Sequence, residues 1–303
     1  MSKFKILSFY AFINIADLRQ KAAIIKKECE KNKITGLVIL AKEGINGTLS
    51  GIEKNLHKLM DLLTNEIYEC EMNVKESFSK IPAFARIKVK IKKEIVTFGV
   101  DDISSYKQTG QYIEPSEWND LISKDDIITI DTRNDYEVRI GSFKGSINPK
   151  MRSFREFPKW WKENKEKIKG KSIAMFCTGG IRCEKSTKYL LKDGVKNVYH
   201  LRGGILNYLK SKEKINSLWE GECFVFDQRV SVDEDLNKGK SILCYACRIP
   251  LEPKDLINPK YEEGVSCPQC YNNTNNLRKN SFRERQKQIR LAFEKGEKHL
   301  KHF

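Results

Sequence analysis

The chain has 303 residues, of which 40% are hydrophobic and 10% aromatic, and its formal net charge is +16. This length predicts two or three domains, and the apolar content is enough for proper hydrophobic cores. No run of about 18 apolar residues, as a transmembrane helix needs, occurs, and residues 1–10 lack a signal-peptide pattern. We therefore expect a cytoplasmic protein without a membrane partner, whose 56 basic against 40 acidic residues favour a polyanionic partner.

The first hundred residues predict a β-α-β-β-α-β order, which is typical of a ferredoxin-like split βαβ domain spanning residues 1–98. Extended segments are predicted at 5–12, 36–41, 45–50, 74–78 and 87–98, and helices at 16–33 and 52–65. Basic and apolar residues alternate strictly from Arg86, which places Lys88, Lys90 and Lys92 on one face or edge of the sheet. These lysines either contact phosphates or protect an edge strand from pairing.

A linker is predicted over residues 99–114, followed by a parallel α/β domain over residues 115–218. Apolar segments at 126–131, 172–176 and 197–201 are predicted strands, each followed by a helical segment. Ligands of such sheets usually bind at the carboxyl ends of the strands. Cys177 lies at such an end.

The loop after the second of these strands is the strongest candidate for a catalytic site. A cysteine on a strand-to-helix turn faces backbone N–H groups and the positive end of the helix dipole, and an arginine adds a fixed charge. Thiolates in such settings titrate at roughly pH 3.5 to 7.5 and are nucleophilic. The alternative is a buried cysteine in an ordinary glycine-rich turn. The loop consists of Cys177, Thr178, Gly179, Gly180, Ile181 and Arg182.

Residues 235–303 form a third predicted unit, with four of the nine cysteines of the chain. Two Cys-x-x-Cys pairs with nineteen residues between them suit tetrahedral Zn²⁺ held by four thiolates. Four protein ligands leave no open position, so we expect a structural metal in a segment too small to bury its own core. The predicted ligands are Cys244, Cys247, Cys267 and Cys270. The isolated Cys29, Cys70 and Cys223 are expected to pack as small apolar residues.

The tail after Cys270 is predicted to be a basic helix with Phe282, Ile289 and Phe293 as apolar anchors. Residues 271–303 carry nine basic and three acidic residues, a net charge of +6. We expect this helix to bind RNA phosphates through Arg278, Arg283, Arg285 and Arg290.

Three groups of residues resemble one known family. Residues 130–137, 141–148, 177–182 and 201–204 resemble the motifs of a rhodanese domain. Residues 42–48, the loop at 177–183 and residues 263–270 all resemble the bacterial rhodanese-like tRNA uridine(34) hydroxylases. The match spans nearly the whole chain, with its motifs in three different domains.

The resemblance implies oxygen-dependent conversion of the wobble uridine of a tRNA to 5-hydroxyuridine, with the anticodon arm as the partner. In rhodanese relatives the first cysteine of the loop is the nucleophile and can carry a persulfide. The resemblance assigns this role to Cys177 and places Arg182 at the end of the loop. Cys183 is either a second, resolving thiol or a helix-opening residue that packs inward. Trp160, Trp161 and Tyr208 are considered as stacking partners for the base, although a core role is expected for each.

Two other functions remain open at the level of the sequence. A sulfurtransferase would pass a persulfide sulfur from Cys177 to tRNA or to a protein, and would use a sulfur donor protein. A non-catalytic RNA-binding module would keep its RNA affinity without Cys177. No Gly-x-Gly-x-x-Gly fingerprint of a flavin or nicotinamide site occurs, and the four histidines suggest no iron site. The sequence therefore does not indicate how oxygen would be activated.

Overall fold

The computed structural model describes residues 4–80, 83–101, 103, 108–211 and 217–296. Its first unit is a five-stranded sheet in the order β4-β1-β3-β2-β5, in which β5 pairs parallel to β2 and the other neighbours pair antiparallel. Two helices pack on one face, as predicted for a ferredoxin-like domain. The strands are Phe4–Phe12 (β1), Thr35–Ala41 (β2), Gly44–Gly51 (β3), Asn73–Ser79 (β4) and Ile87–Ile91 (β5). The helices are Leu18–Lys31 (α1) and Glu53–Asp61 (α2), the latter extended by a π-helical turn over Leu62–Ile67.

The two faces of this sheet have different neighbours. Strand side chains alternate between faces, so Leu7, Phe9 and Ala11 of β1 enter the core beneath the helices, whereas Ile6 does not belong to it. Tyr10, on the face away from the helices, reaches the second unit and donates a hydrogen bond to Glu184. The helix-free face is therefore a domain interface.

The extended segment predicted at 87–98 is only partly a strand. β5 ends at Ile91, and Phe98 is buried in the core of the second unit instead. The physical reason is that Phe98 finds an aromatic cluster there, with the Phe154 ring at 5.0 Å and the Tyr189 ring at 5.5 Å.

The second unit is a fully parallel sheet in the order β6-β10-β9-β7, as expected for a rhodanese-like domain. Every residue of its central strand β9 is buried, because helices cover both faces. The strands are Gln111–Ile113 (β6), Ile127–Asp131 (β7), Ser172–Phe176 (β9) and Val198–Leu201 (β10); a short strand, Gly141–Phe143 (β8), pairs with Trp219–Gly221 (β11). The helices are Pro115–Ile122 (α3), Asp135–Val138 (α4), Phe157–Asn164 (α5), Ile181–Lys192 (α6) and Gly204–Lys210 (α7).

The segment expected to be a linker contributes to this second sheet. Gln111–Ile113 forms its edge strand β6, and Ile103 is buried in its core. Residues 102 and 104–107 of that segment lie outside the described residues. The domain boundaries themselves remain a prediction.

The third unit is small and poor in regular structure. The pair Cys223–Phe224 (β12) with Ser231–Val232 (β13) precedes it and adds Cys223 and Val232 to a core of the second unit. The third unit itself contains the pair Ile242–Leu243 (β14) with Pro250–Leu251 (β15). Pro253–Leu256 (α8) precedes the long helix Asn276–Glu294 (α9), whose first turn is capped by the Asn275 side chain. Residues 297–303 of the predicted tail lie outside the described residues.

The predicted anchors of α9 differ in their burial. Phe282 and Ile289 are half-buried beside the buried Lys279 and Gln286, but Phe293 is 84% exposed. Phe293 lies on the same helical stripe but one turn further along, near the end of α9, where its side chain is exposed. The prediction that Phe293 packs as an anchor was therefore wrong. Among the described residues, no helix is both long enough and apolar enough to span a membrane.

Candidate active site and metal centre

Cys177 lies directly after β9, at the start of the loop that leads into α6. Its side chain is fully buried, and the backbone N–H of Gly180 donates a hydrogen bond to its sulfur over 3.1 Å. Gly180 caps α6 with a φ of +97°, a conformation that side-chain-bearing residues rarely adopt. The chain thus turns tightly enough to point amide groups at the sulfur.

The environment of Cys177 favours its thiolate. Burial alone would raise the pKa of this thiol. The Cys183 thiol, the Arg182 guanidinium and the backbone N–H groups of both residues outweigh burial and lower the pKa of Cys177 to about 5. The sulfur is therefore an anion at neutral pH, as a nucleophile requires.

Cys183 is the second thiol of the site and lies in the first turn of α6. It is fully buried, and its sulfur is 3.7 Å from the Thr132 hydroxyl. Burial and the neighbouring Cys177 thiolate raise the pKa of Cys183 well above its usual value. The two cysteines thus form a neighbouring thiolate and thiol in one buried cluster.

Glu137 fixes the position of Arg182. Two hydrogen bonds of 2.7 Å join the guanidinium to the two carboxylate oxygens, and Glu137 is completely buried. Burial opposes the charge on Arg182, but the Glu137 carboxylate raises its pKa. Glu137 also receives a bond from Thr178 in the loop. This bidentate pair holds the cation beside Cys177, and sequence analysis did not single out Glu137.

The N-terminus of α7 holds the other side of the loop. The N–H groups of Ile205 and Leu206 donate to the carbonyls of Cys177 and Thr178 over 3.0 and 3.1 Å. A Cβ on Gly204 would lie 2.4 Å from the Cys177 carbonyl oxygen. Only glycine leaves room for this close approach, which explains Gly204, the second glycine in the motif at residues 201–204.

The helix-free face of the N-terminal sheet covers the loop. Glu184 accepts hydrogen bonds from Tyr10 over 3.1 Å and from Tyr112 over 2.8 Å, and burial raises the pKa of Glu184. Lys75 on β4 lies over the Tyr10 ring at 5.2 Å. Burial lowers the pKa of Lys75 to about 8, although the negative charges of Cys177 and Glu184 oppose the shift. Two units of the chain therefore build one site.

Buried ion pairs fasten the two units together beside this site. The Lys185 ammonium contacts Glu43 over 2.7 Å and Glu94 over 2.6 Å, and it is almost completely buried. Glu43 belongs to the N-terminal motif at residues 42–48, so the structure assigns that motif an interdomain contact.

A cleft opens next to the loop, between β4 and α7. Lys75 and Leu206 line it, and both also interact with the loop, through charge and through a backbone hydrogen bond respectively. Its charged lining comprises Lys75, Glu76, Lys210 and Arg229, of which Arg229 is already paired with Asp227, so Lys75 and Lys210 are the cations that could receive an anion. A phosphate group suits such a lining.

Phe226 is an exposed aromatic side chain at the edge of the site. It is 60% exposed, and the Arg182 guanidinium lies 5.9 Å from its ring centre. Trp161 and Tyr208, by contrast, are buried in the core, and Trp160 packs against Phe157. Phe226 is therefore better placed for a base than the three aromatics considered from sequence.

The predicted RNA-binding residues lie away from this cleft. Lys88 and Lys90 are exposed on β5, at the opposite sheet edge from β4, and exposed Lys92 follows the strand. In α9, Arg283 and Arg290 pair with Glu262 and Glu263, and Arg285 donates to the carbonyls of Tyr245 and Gly264. Arg278 is exposed and contacts the Phe282 ring. None of these seven residues lines the cleft.

The four predicted metal ligands are brought together. The sulfur atoms of Cys244, Cys247, Cys267 and Cys270 all lie within 4.8 Å of one another, with contacts of 3.6 and 3.7 Å. Four sulfurs about 2.3 Å from one Zn²⁺ would be about 3.8 Å apart in a tetrahedron. The cluster therefore has the donor set and the spacing of a closed metal site.

Comparisons with known proteins agree with this architecture. Residues 4–95 match the UPF0176 acylphosphatase like domain, and residues 114–211 match the rhodanese-like domain. The chain is 44% identical over 300 residues to the tRNA uridine(34) hydroxylase of Acaryochloris marina, covering 99% of this chain and 97% of that protein.

Two solved structures resemble parts of the chain. A rhodanese-related protein from Thermoplasma volcanium shares 24% identity with a TM-score of 0.29, over 33% of this chain and 91% of that one. An acylphosphatase from Bacillus subtilis shares 17% identity with a TM-score of 0.23, over 29% of this chain and 98% of that one.

Proposed function

Because the chain belongs to the tRNA uridine(34) hydroxylase family, we propose that Cys177 is the nucleophile with which it hydroxylates C5 of the wobble uridine, using molecular oxygen. The observation that carries this proposal is the low pKa of Cys177 in a buried loop of amide groups beside Arg182. A thiolate that adds to C6 of uracil makes C5 electron-rich, which is covalent catalysis.

The surrounding charges suit this chemistry. Addition to C6 moves negative charge onto the O4 carbonyl oxygen, and a positioned cation stabilises such a charge most where water is excluded. Lys75 and Arg182 both carry charges that interact with Cys177. We assign Lys75 to the developing charge on the base, since the bidentate pair with Glu137 already occupies Arg182.

The anticodon arm is the part of the tRNA that this site would receive. The wobble base must leave its stack to reach Cys177, as single-stranded RNA bases do when proteins recognise them. The cations of the cleft would hold the adjacent phosphate, and Phe226 would stack on a base.

For the cysteine cluster we propose a structural Zn²⁺ bound by Cys244, Cys247, Cys267 and Cys270. The mutual sulfur distances support four thiolate ligands, which leave no position for a substrate. When bound, the metal would link the two Cys-x-x-Cys turns and give α9 a fixed base. The chemistry at Cys177 does not require it.

The test of the function is the nucleoside product. We expect purified full-length protein, given tRNA and oxygen, to form 5-hydroxyuridine, and Cys177→Ser to lose several orders of magnitude of activity while its tRNA affinity is unchanged. Exact-mass analysis of digested tRNA identifies the product. A Cys177→Ser protein that retains a substantial fraction of wild-type activity would refute the nucleophilic role.

The same measurement separates the two alternatives. A sulfurtransferase would replace oxygen by sulfur, which has the same nominal mass gain but a different exact mass, and it would need a sulfur donor protein instead of oxygen. An RNA-binding module would give no product with either protein.

A further inference from the structure

Cys183 is a second buried thiol beside the proposed nucleophile. The two cysteines share one buried hydrophobic cluster, and the charge on Cys177 acts on the Cys183 thiol. Only the five residues 178–182 separate them along the chain. Cys183 lies on the first turn of α6, so the helix fixes its direction. The loop thus contains a preformed dithiol.

Hydroxylation of uridine by oxygen needs two electrons that the base does not provide. Oxygen takes up four electrons in forming one hydroxyl group and one water, and the C5–H bond supplies two of them. A dithiol that closes to a disulfide gives up two electrons and two hydrogens. The pair of cysteines can therefore supply the two electrons that the base does not provide.

We propose that Cys177 and Cys183 supply these two electrons and close to a disulfide in each turnover, an inference that rests on the proposed function. The balance is uridine C5–H, oxygen and two thiols giving C5–OH, water and one disulfide. One oxygen atom forms the new C–O bond, and the other leaves as water with the two thiol hydrogens. An external dithiol then reduces the disulfide by exchange.

The order of events follows from the charges in the pair. Cys177 is the thiolate, so it adds to C6 first. Burial and the Cys177 charge both hold Cys183 protonated, and the new bond removes the second of these causes. The electron-rich C5 bonds oxygen to give a C5 hydroperoxide. Cys183 then ionises more easily, and its thiolate attacks the outer oxygen atom of this hydroperoxide, which breaks the O–O bond, leaves the hydroxyl group on C5 and forms a sulfenic acid on Cys183. Loss of the C5 proton expels Cys177 from C6, and its thiolate attacks the Cys183 sulfur, which releases water and forms the disulfide.

A single-turnover experiment tests the proposal. Full-length protein is reduced with dithiothreitol, freed of it, and mixed with tRNA and oxygen. We expect equal amounts of 5-hydroxyuridine and of a Cys177–Cys183 disulfide, identified by peptide mapping. Without tRNA, or without oxygen, both thiols should remain free. Restoring dithiothreitol should restore repeated turnover.

Cys183→Ser separates an electron-donating role from a merely polar one. A serine at this position keeps a small polar group beside Cys177, so an unchanged thermal melting temperature and an unchanged tRNA affinity should report a folded loop. Product formed in multiple turnover with dithiothreitol should nevertheless fall by at least about tenfold. Cys29→Ser, an equally buried cysteine in the N-terminal core, is the control and should behave as wild type.

Three results would overturn the proposal. Product could form while both thiols stay reduced, product formation could require nicotinamide or another electron donor in place of a dithiol, or Cys183→Ser could turn over at the wild-type rate. A wild-type protein that makes no 5-hydroxyuridine under any of these conditions would instead overturn the proposed function, and this inference with it.

Discussion

At the scale of single residues, the site contains two groups whose pKa values define a working pH range. Cys177, with its pKa lowered to about 5, is a thiolate above that pH and loses its charge as the pH falls through it. Lys75, with its pKa lowered to about 8, is a cation below that pH and loses its charge as the pH rises through it. Both groups carry their functional charge only between these values.

We therefore predict a bell-shaped pH dependence of kcat/KM, rising near pH 5 and falling near pH 8, because kcat/KM reports the free enzyme. Lys75→Arg should retain activity on the alkaline side, since arginine stays charged, whereas Lys75→Met should lose activity at every pH. Steady-state rates from pH 4 to 10 provide the measurement. An alkaline limb that is the same in Lys75→Arg would show that another group titrates there.

We expect substitutions of Phe226 to weaken substrate binding more than they slow the chemical step. Stacking of a base on an aromatic ring contributes about 1–3 kcal/mol. Phe226→Ala should thus raise KM by roughly tenfold or more with a smaller effect on kcat, and Phe226→Trp should restore it. Phe78 is a partly exposed phenylalanine of β4, and Phe78→Ala is the control. If both alanine variants behave alike, Phe226 does not contact the base.

At the scale of elements, local patterns could be predicted and long-range contacts could not. The turn from β9 into α6 follows from an apolar run, two glycines and a helical segment, all adjacent in sequence. The four metal ligands follow from their spacing. Lys75, Tyr10 and Glu137 come from distant segments that the fold alone brings to the loop, and no periodicity marks them. Phe226 lies in a short connection that carries no motif.

The connection at residues 99–114 illustrates the same limit. Its sequence has weak strand character, and Gln111–Ile113 becomes a strand because the edge of β10 offers parallel hydrogen-bonding partners. The strand at 87–98 ends early for the opposite reason, since the aromatic cluster around Phe98 competes with the sheet edge.

The cysteine cluster and α9 are expected to depend on each other. Arg285 ties the helix to the carbonyls of Tyr245 and Gly264, both of which are close in sequence to the metal ligands. We predict that Cys267→Ser loses bound zinc and exposes α9 to proteolysis, because metal binding supplies folding energy to such small units. Elemental analysis and limited proteolysis measure the two effects. Cys70→Ser should keep its metal, and full zinc content in Cys267→Ser would reject the four-thiolate site.

At the scale of the whole molecule, positive charge is distributed over three separate surfaces: the cleft, the exposed lysines of β5 and helix α9. The cleft lies at one edge of the N-terminal sheet and β5 at the other, four strand spacings or about 19 Å away. A tRNA that places its wobble base at Cys177 contacts β5 only if the bound part of the tRNA also extends across this distance. The three surfaces therefore make separable contributions to tRNA affinity.

The dependence of tRNA affinity on salt should distinguish these surfaces. Each phosphate contact contributes a slope of roughly 0.7 to 0.9 to the fall of log affinity with log salt. We predict that the double variant Lys88→Gln with Lys90→Gln lowers the slope by the contribution of about two phosphate contacts. Lys210→Gln in the cleft should lower it by the contribution of about one. Arg283→Gln should change it less, because Glu262 already neutralises that guanidinium through two hydrogen bonds.

Arg278→Gln is the informative variant of the tail, because the Arg278 guanidinium contacts the Phe282 ring, which leaves its charge intact. It should lower the slope by about one contact if α9 faces the tRNA. Binding isotherms at several salt concentrations, with Lys159→Gln on the exposed side of α5 as the control, give all the slopes. Unchanged slopes for the lysines of β5 and for Arg278 would confine the tRNA to the cleft. The net charge of +16 would then act only by long-range attraction, which raises association rates without adding contacts.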